Sequence, residues 1–104
     1  MIYLHVTLQT KRGKLNEWSS IYEKEYVPLI EKYGQRLVGA WRTAVGTYDE
    51  VTDLYAFDNF TEFERIRGEL FKDPKTAALI NKIFPLAGLE VSKIMVPFDY
   101  SPMK

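Results

Sequence analysis

The stretch GAWRTAVGTYDEVTDLYAFDN, residues 39–59, predicts two β-strands joined by a turn and decides which fold class fits the chain. The first strand extends from Arg36 to Val45 and the second from Val51 to Asp58. Residues 46–50 lie between them and contain Gly and Asp, which favour turns because they tolerate unusual backbone angles. A hairpin in the middle of a chain of 104 residues is typical of an antiparallel sheet.

The residues before this hairpin predict one strand and one helix. Apolar residues alternate with polar ones over residues 2–8, which is the period of a strand with one buried face. From Leu15 to Tyr33 the apolar residues recur every three or four positions, which indicates an amphipathic helix ending at Gly34. Pro28 cannot donate a backbone hydrogen bond, so we expect a kink near Tyr26.

The residues after the hairpin predict two helical segments and a last strand. Thr61 and Glu64 have the spacing of a capping box, which predicts a helix starting at Thr61. Asp73 and Pro74 predict a second helix start, and residues 89–96 predict a strand. The order β-α-β-β-α-β is that of a ferredoxin-like α+β fold, with an antiparallel sheet and the helices on one face. The length predicts a single domain over residues 1–104.

Composition and charge exclude several classes of function. Fourteen basic residues balance fourteen acidic ones, so no net positive charge favours nucleic acid or an anionic membrane. The chain has no cysteine and one histidine, so it offers no thiolate ligands and no set of imidazoles for a metal. We therefore expect no metal and no cofactor. No signal peptide and no apolar run of membrane-spanning length stand out, which predicts a cytoplasmic protein.

The pairing of the two hairpin strands decides which side chains share a face. We expect Trp41 to lie opposite Tyr55, which places Ala40, Leu54 and Ala56 under the helices. The other, open face would then carry His5 as a candidate catalytic residue and a set of candidate ligand-binding residues. These are Tyr3, Trp41, Thr43, Asp53, Tyr55 and Phe57.

Such a face is too aromatic to remain in water and too polar for an ordinary core. A pocket or a wet interface has this mixed lining. The simplest cover is a second copy of the same sheet, related by a two-fold axis. The sequence therefore predicts a homodimer formed sheet to sheet, with higher assembly left open.

Residues 39–74 also resemble the NIPSNAP family, with agreement in length and element order over nearly the whole chain. The matching residues are Gly39, Trp41, Arg42, Thr43, Gly46, Leu54, Tyr55, Arg65, Arg67, Asp73 and Pro74. The resemblance implies a dimeric α/β-barrel, a superfamily that includes cofactor-independent monooxygenases, haem-degrading enzymes and isomerases. It implies no particular reaction, because the biochemical role of the NIPSNAP family itself is poorly defined.

Two functions fit these residues. The protein could bind a small aromatic or apolar molecule in the barrel of a homodimer, without catalysis. Alternatively, it could be a monooxygenase-like or isomerase-like enzyme with His5 as general base, because imidazole changes its charge near neutral pH. Asp53 could orient His5 or bind a hydroxyl of the substrate, and Arg65 and Arg67 are expected to face solvent.

Overall fold

The computed structural model describes all 104 residues and contains one four-stranded sheet covered by helices on one face. The elements in chain order are β1 (Ile2–Thr10), α1 (Leu15–Ile21), a π-helical turn (Tyr22–Tyr26), α2 (Val27–Lys32), β2 (Arg36–Arg42), β3 (Glu50–Phe57), α3 (Phe60–Lys72), α4 (Pro74–Ile83), a 3-10 turn (Phe84–Leu86) and β4 (Ala87–Met95). The ferredoxin-like α+β fold is thus confirmed. Strand β2 ends three residues earlier than expected, and β4 begins two residues earlier than expected.

All strand pairs are antiparallel, and the strand order across the sheet is β2-β3-β1-β4. The alternation predicted for β1 is confirmed: Leu4 and Val6 face the helices, whereas His5 and Thr7 face the other way. We call this second face, which the helices do not cover, the open face.

The pairing expected between Trp41 and Tyr55 is wrong. Trp41 pairs with Thr52, three residues from the expected partner, and Tyr55 pairs with Leu37; the register also shifts by one residue at Val38. A one-residue shift moves every following side chain to the opposite face. Because β3 pairs with β1, Asp53, Tyr55 and Phe57 lie on the helix face with Leu4 and Val6, and Leu54 and Ala56 lie on the open face.

The first helical region contains the irregularity that Pro28 predicts. The backbone N–H of Val27 donates to the carbonyl oxygen of Tyr22, five residues back, which is the hydrogen bond of a π-turn. Pro28, at the start of α2, has no N–H with which to continue the α-helical pattern. The π-turn keeps the chain helical across this position and places Tyr22 and Tyr26 on the side that faces the sheet.

The helix starts after the hairpin are partly as predicted. Asn59 caps α3 by accepting a hydrogen bond from the N–H of Glu62, so the capping box expected at Thr61 is wrong. An Asn at this position already satisfies the free N–H groups of the first turn. Asp73 caps α4 as expected by accepting from the N–H of Lys75, and Pro74 is its first residue.

The hydrophobic core lies between the helix face of the sheet and the helices. Its most deeply buried members include Ile30, Phe57 and Leu70, each at most 1% exposed. Phe57 packs edge-on against Phe63 of α3, with ring centroids 5.0 Å apart. None of the helices combines the length and the apolar composition that crossing a membrane would require.

Candidate functional site

The space between the sheet and the helices is not completely filled. A cavity of about 340 Å³ lies over Leu4, Val6 and Leu8 of β1, under the first helical region and beside α3 and α4. Twelve of its seventeen lining residues are hydrophobic. A mainly apolar cavity with a few polar groups is the usual form of a binding site for a small molecule.

A row of three adjacent aromatic rings forms one wall of this cavity. Trp18 stacks on Tyr22 with ring centroids 4.5 Å apart, and Tyr22 stands 4.8 Å from Tyr26. The spacing follows from the helix, since residues four apart lie on the same side. The hydroxyl of Tyr22 is buried without a hydrogen-bond partner. The wall therefore offers flat apolar surface together with one free hydroxyl group.

Asp53 supplies a carboxyl group to the same cavity from the middle of β3. The residue is only 3% exposed, and burial raises the pKa of its carboxyl from 3.8 to about 7. Burial is the only cause of this pKa shift, since no cation or hydrogen-bond donor of the chain offsets it. A carboxyl group that titrates near neutral pH can give or accept a proton under ordinary conditions.

Two further polar side chains meet at the α3 side of the cavity. Nη1 of Arg67 donates a hydrogen bond to Oε1 of Gln35 at 3.1 Å, and both residues line the cavity. The Arg67 guanidinium also lies 4.7 Å from the ring centroid of Phe71. Gln35 is completely buried, and its Nε2 atom has no partner. This corner is therefore rich in donors.

Burial also shifts the two tyrosines that face Arg67. It raises the pKa of Tyr26 and of Tyr55, and in both cases the positive charge of Arg67 acts in the opposite direction. Both tyrosines thus stay neutral at physiological pH and act as hydroxyl groups rather than phenolates. Arg67 and Asp53 are the charged groups inside the cavity, and Glu90 of β4 adds a third on the exposed edge strand.

The structure separates the residues predicted as one site. Asp53 and Tyr55 line the helix-side cavity, and Phe57 is buried in the core on the same face. Tyr3, His5 and Trp41 lie on the open face. Thr43 follows β2, where its hydroxyl is 2.5 Å from a carboxylate oxygen of Glu50. His5 is thus on the opposite side of the sheet from Asp53 and cannot be oriented by it, contrary to expectation.

A second cavity of about 390 Å³ lies between the first helical region and the edge strand β2. It shares Trp18, Tyr22 and Asp53 with the first cavity, so these three side chains separate the two spaces. Trp41 and Arg42 lie at its edge. Nowhere do three or more His, Cys, Asp or Glu side chains come together as a metal site would require.

A family model now adds to this geometry. The model described as NIPSNAP matches residues 3–102, which is nearly the whole chain. The chain belongs to the NIPSNAP family. The resemblance drawn from residues 39–74 is thus confirmed.

Two solved NIPSNAP structures share the fold over their full length. An uncharacterized NIPSNAP domain protein from Burkholderia xenovorans is 29% identical with a TM-score of 0.91, covering 98% of this chain and 99% of that chain. A NIPSNAP family protein with unknown function from Agrobacterium tumefaciens is 26% identical with a TM-score of 0.92, covering 100% of this chain and 94% of that chain. Membership of the NIPSNAP family thus assigns the fold without assigning a reaction.

More distant relatives share the fold alone. SnoaB, a cofactor-independent oxygenase from Streptomyces nogalater, is 9% identical with a TM-score of 0.72, covering 97% of this chain and 96% of that chain.

Among curated proteins, a segment of 45 residues is 47% identical to NADH-quinone oxidoreductase subunit N of Erythrobacter litoralis (strain HTCC2594). That segment is 43% of this chain, and the chain spans only 9% of that relative's length.

Sequence reasoning missed the donor-rich corner of this NIPSNAP chain. Arg65 faces solvent as expected, whereas Arg67 is half-buried and lines the cavity. The signal was present, because Phe63, Arg67 and Phe71 are spaced four residues apart and share one side of α3. Gln35 carried no such signal, since it lies in a short connection before β2 where no periodicity exists.

Proposed function

We propose that this NIPSNAP protein binds a small aromatic molecule in the cavity between the sheet and the helices of each protomer. The observation that carries the proposal is the aromatic wall of Trp18, Tyr22 and Tyr26 beside a cavity of about 340 Å³. Aromatic rings stack favourably at centroid distances of roughly 4.5–7 Å. A flat ligand would therefore continue the row that these three side chains begin.

The position of the cavity changes where the ligand would lie. The prediction from the sequence placed it in a barrel between two protomers, whereas this cavity lies within one chain. A ligand there would contact Asp53 and Tyr55 but not His5. Of the candidate ligand-binding residues, Asp53 and Tyr55 are the two that the proposal retains.

Calorimetric titration with 2-naphthol tests the binding. Ser92 lies on the helix face of β4 and lines the cavity, so Ser92→Phe should fill part of the space and weaken binding about tenfold or more. Lys93→Phe puts the same ring on the opposite face and should leave binding within about twofold. No measurable heat with the wild type, or equal affinity of the two variants, would contradict the proposal.

A second candidate function is proton transfer at an acidic C–H bond of the bound molecule. The observation that favours it is the pKa of about 7 for the buried Asp53 carboxyl. The carboxylate would take the proton, the substrate would become an enolate, and the protonated carboxyl would then return a proton. Asp53 replaces His5 in this role because His5 lies on the other face of the sheet.

Deuterium exchange separates catalysis from binding. With 2-tetralone in D₂O, the wild type should speed exchange at C1, as followed by NMR, and Asp53→Asn should remove most of the acceleration. His5→Asn is the matched control and should retain it. Loss of exchange in the His5 variant with retention in the Asp53 variant would restore His5 as the base. If 2-tetralone binds but neither the wild type nor either variant accelerates deuterium exchange, the protein is a binding module.

We also propose that the open face binds a second copy of the chain. Trp41 and Val91 lie in one row across this face and are 56% and 58% exposed in the single chain. Large apolar side chains on a continuous sheet face favour association. The expected burial of Trp41 is thus not achieved within one chain, where the indole ring lies over Gly39.

Light scattering tests the dimer. The wild type should have twice the mass of one chain at micromolar concentration. Val91→Asp should shift the protein toward the monomer, because a dimer of this variant would have to bury a charge. Tyr48→Asp changes an exposed turn residue and should have no effect. A wild-type monomer, or a dimer that persists in Val91→Asp, would contradict the proposed interface.

A further inference from the structure

The donor-rich corner of the cavity contains more hydrogen-bond donors than the protein itself uses. Arg67 has five N–H donors, and its Nη1 atom is bonded to Oε1 of Gln35. Gln35 is completely buried, and its Nε2 atom has no acceptor. A buried donor without an acceptor is costly, so this group would be stabilised by an acceptor from outside the chain, either water or a ligand.

The orientation of the Gln35 amide is determined by chemistry. Arginine can only donate hydrogen bonds, so the atom of Gln35 that faces Arg67 must be the oxygen. The amide NH₂ is therefore the group left free. Arg67 and Gln35 hold each other in place, and both face the cavity.

Arg67 forms no close ion pair within the chain, although Asp53 and Glu90 line the same cavity. The five ion pairs of the chain involve other residues. The guanidinium is half-buried, lies over Phe71 and is held by a neutral amide. An arginine in such surroundings binds a carboxylate strongly, because two parallel N–H groups match the two oxygens.

We propose that Arg67 and Nε2 of Gln35 form a carboxylate subsite, so that the ligand of the cavity is an aromatic carboxylate. This inference rests on the proposed function and adds to it the chemical class of the ligand. The carboxylate accepts hydrogen bonds from the guanidinium and from the Gln35 amide. The aromatic part extends from there along the wall of Trp18, Tyr22 and Tyr26.

Two probes of the same shape test the subsite. 2-Naphthoate carries the carboxylate, and 2-naphthamide replaces it by a neutral group of nearly equal size. The wild type should bind 2-naphthoate about tenfold or more tightly than 2-naphthamide, as measured by calorimetry. Arg67→Met keeps an apolar side chain next to Phe71 and should remove this preference, because 2-naphthoate should lose more affinity than 2-naphthamide.

A second variant keeps the test independent of the folding of Arg67→Met. Gln35→Glu has nearly the same shape and can still bond Arg67, but its carboxylate repels an anion. It should weaken 2-naphthoate about tenfold or more relative to 2-naphthamide. Circular dichroism and thermal unfolding check that each variant is folded.

The outcomes separate this inference from the proposed function. If 2-naphthamide binds as tightly as 2-naphthoate, or if both variants keep the wild-type preference, the carboxylate subsite is wrong while the aromatic cavity stands. If neither probe nor 2-naphthol binds the wild type, the proposed function is wrong and the subsite with it.

Discussion

Asp53→Asn should stabilise the protein at high pH. Burial raises the pKa of the Asp53 carboxyl from 3.8 to about 7, so the folded state binds this proton more tightly than the unfolded state does. The contribution of the protonated Asp53 carboxyl to the free energy of unfolding is therefore complete below about pH 4. It is lost progressively as the pH rises toward 7. Above pH 7 the loss is constant, because the carboxyl is then ionised in both states.

The size of the effect follows from the shift. Each tenfold change in an ionisation constant corresponds to about 1.4 kcal/mol, so the ionised carboxyl costs the folded state about 4 kcal/mol at pH 8. Asparagine has nearly the same shape and stays neutral. We therefore compare the free energy of unfolding of the variant with that of the wild type at each pH. This difference should increase by up to about 4 kcal/mol between pH 4 and pH 8.

Urea unfolding followed by tryptophan fluorescence, at several pH values and one protein concentration, measures the difference. Other titrating groups are common to both proteins and largely cancel in the comparison. Asp99→Asn changes an exposed carboxylate in the C-terminal segment and should give a difference that is independent of pH. If the Asp53→Asn difference is also constant from pH 4 to 8, the carboxyl is not held in an apolar environment, and the argument for proton transfer fails with it.

The remaining predictions concern stability. Asn59→Ala should lower the free energy of unfolding by about 1 kcal/mol, because the helix cap is lost. Thr61→Ala should change it by less than about 0.5 kcal/mol. If urea unfolding shows the larger loss for Thr61→Ala, Thr61 is the cap after all. Leu70→Ala should cost about 2–5 kcal/mol in the same assay because the side chain is fully buried, and a cost below 1 kcal/mol would contradict that packing. A methyl group on Gly39 would overlap the exposed Trp41 ring, so Gly39→Ala should displace that ring at a cost below about 1 kcal/mol. Near-ultraviolet circular dichroism should report the displacement, and an unchanged spectrum would contradict the contact.

Much of the fold could be predicted because its signals are local. Alternation along β1 fixed its buried face, and that assignment is confirmed. Pro28 indicated the irregular helix, which proved to be a π-turn. Asp73 and Pro74 marked the start of α4, because capping depends on atoms only two or three residues apart.

The candidate site could not be predicted in the same way. In β3 one face carries Asp53 among apolar residues and the other carries Leu54 beside Thr52, so neither face is clearly the buried one. The assignment then depends on strand pairing: Tyr55 pairs with Leu4 of β1, and the register shift at Val38 puts Trp41 on the other face from Tyr55. A bulge in one strand is a response to the twist and packing of its neighbours, which the sequence of that strand does not record.

The order of elements and the family could be predicted from the residues alone, because they depend on local periodicity, turn residues and a recognisable motif. Tertiary contacts alone bring Asp53 together with Arg67 and Gln35 in a helix-side cavity, away from His5. These side chains come from three separate parts of the chain and meet only when α3 packs on the sheet. The physical reason is that alternation defines two faces of a strand, but the pairing of strands and the packing of helices decide which face is covered.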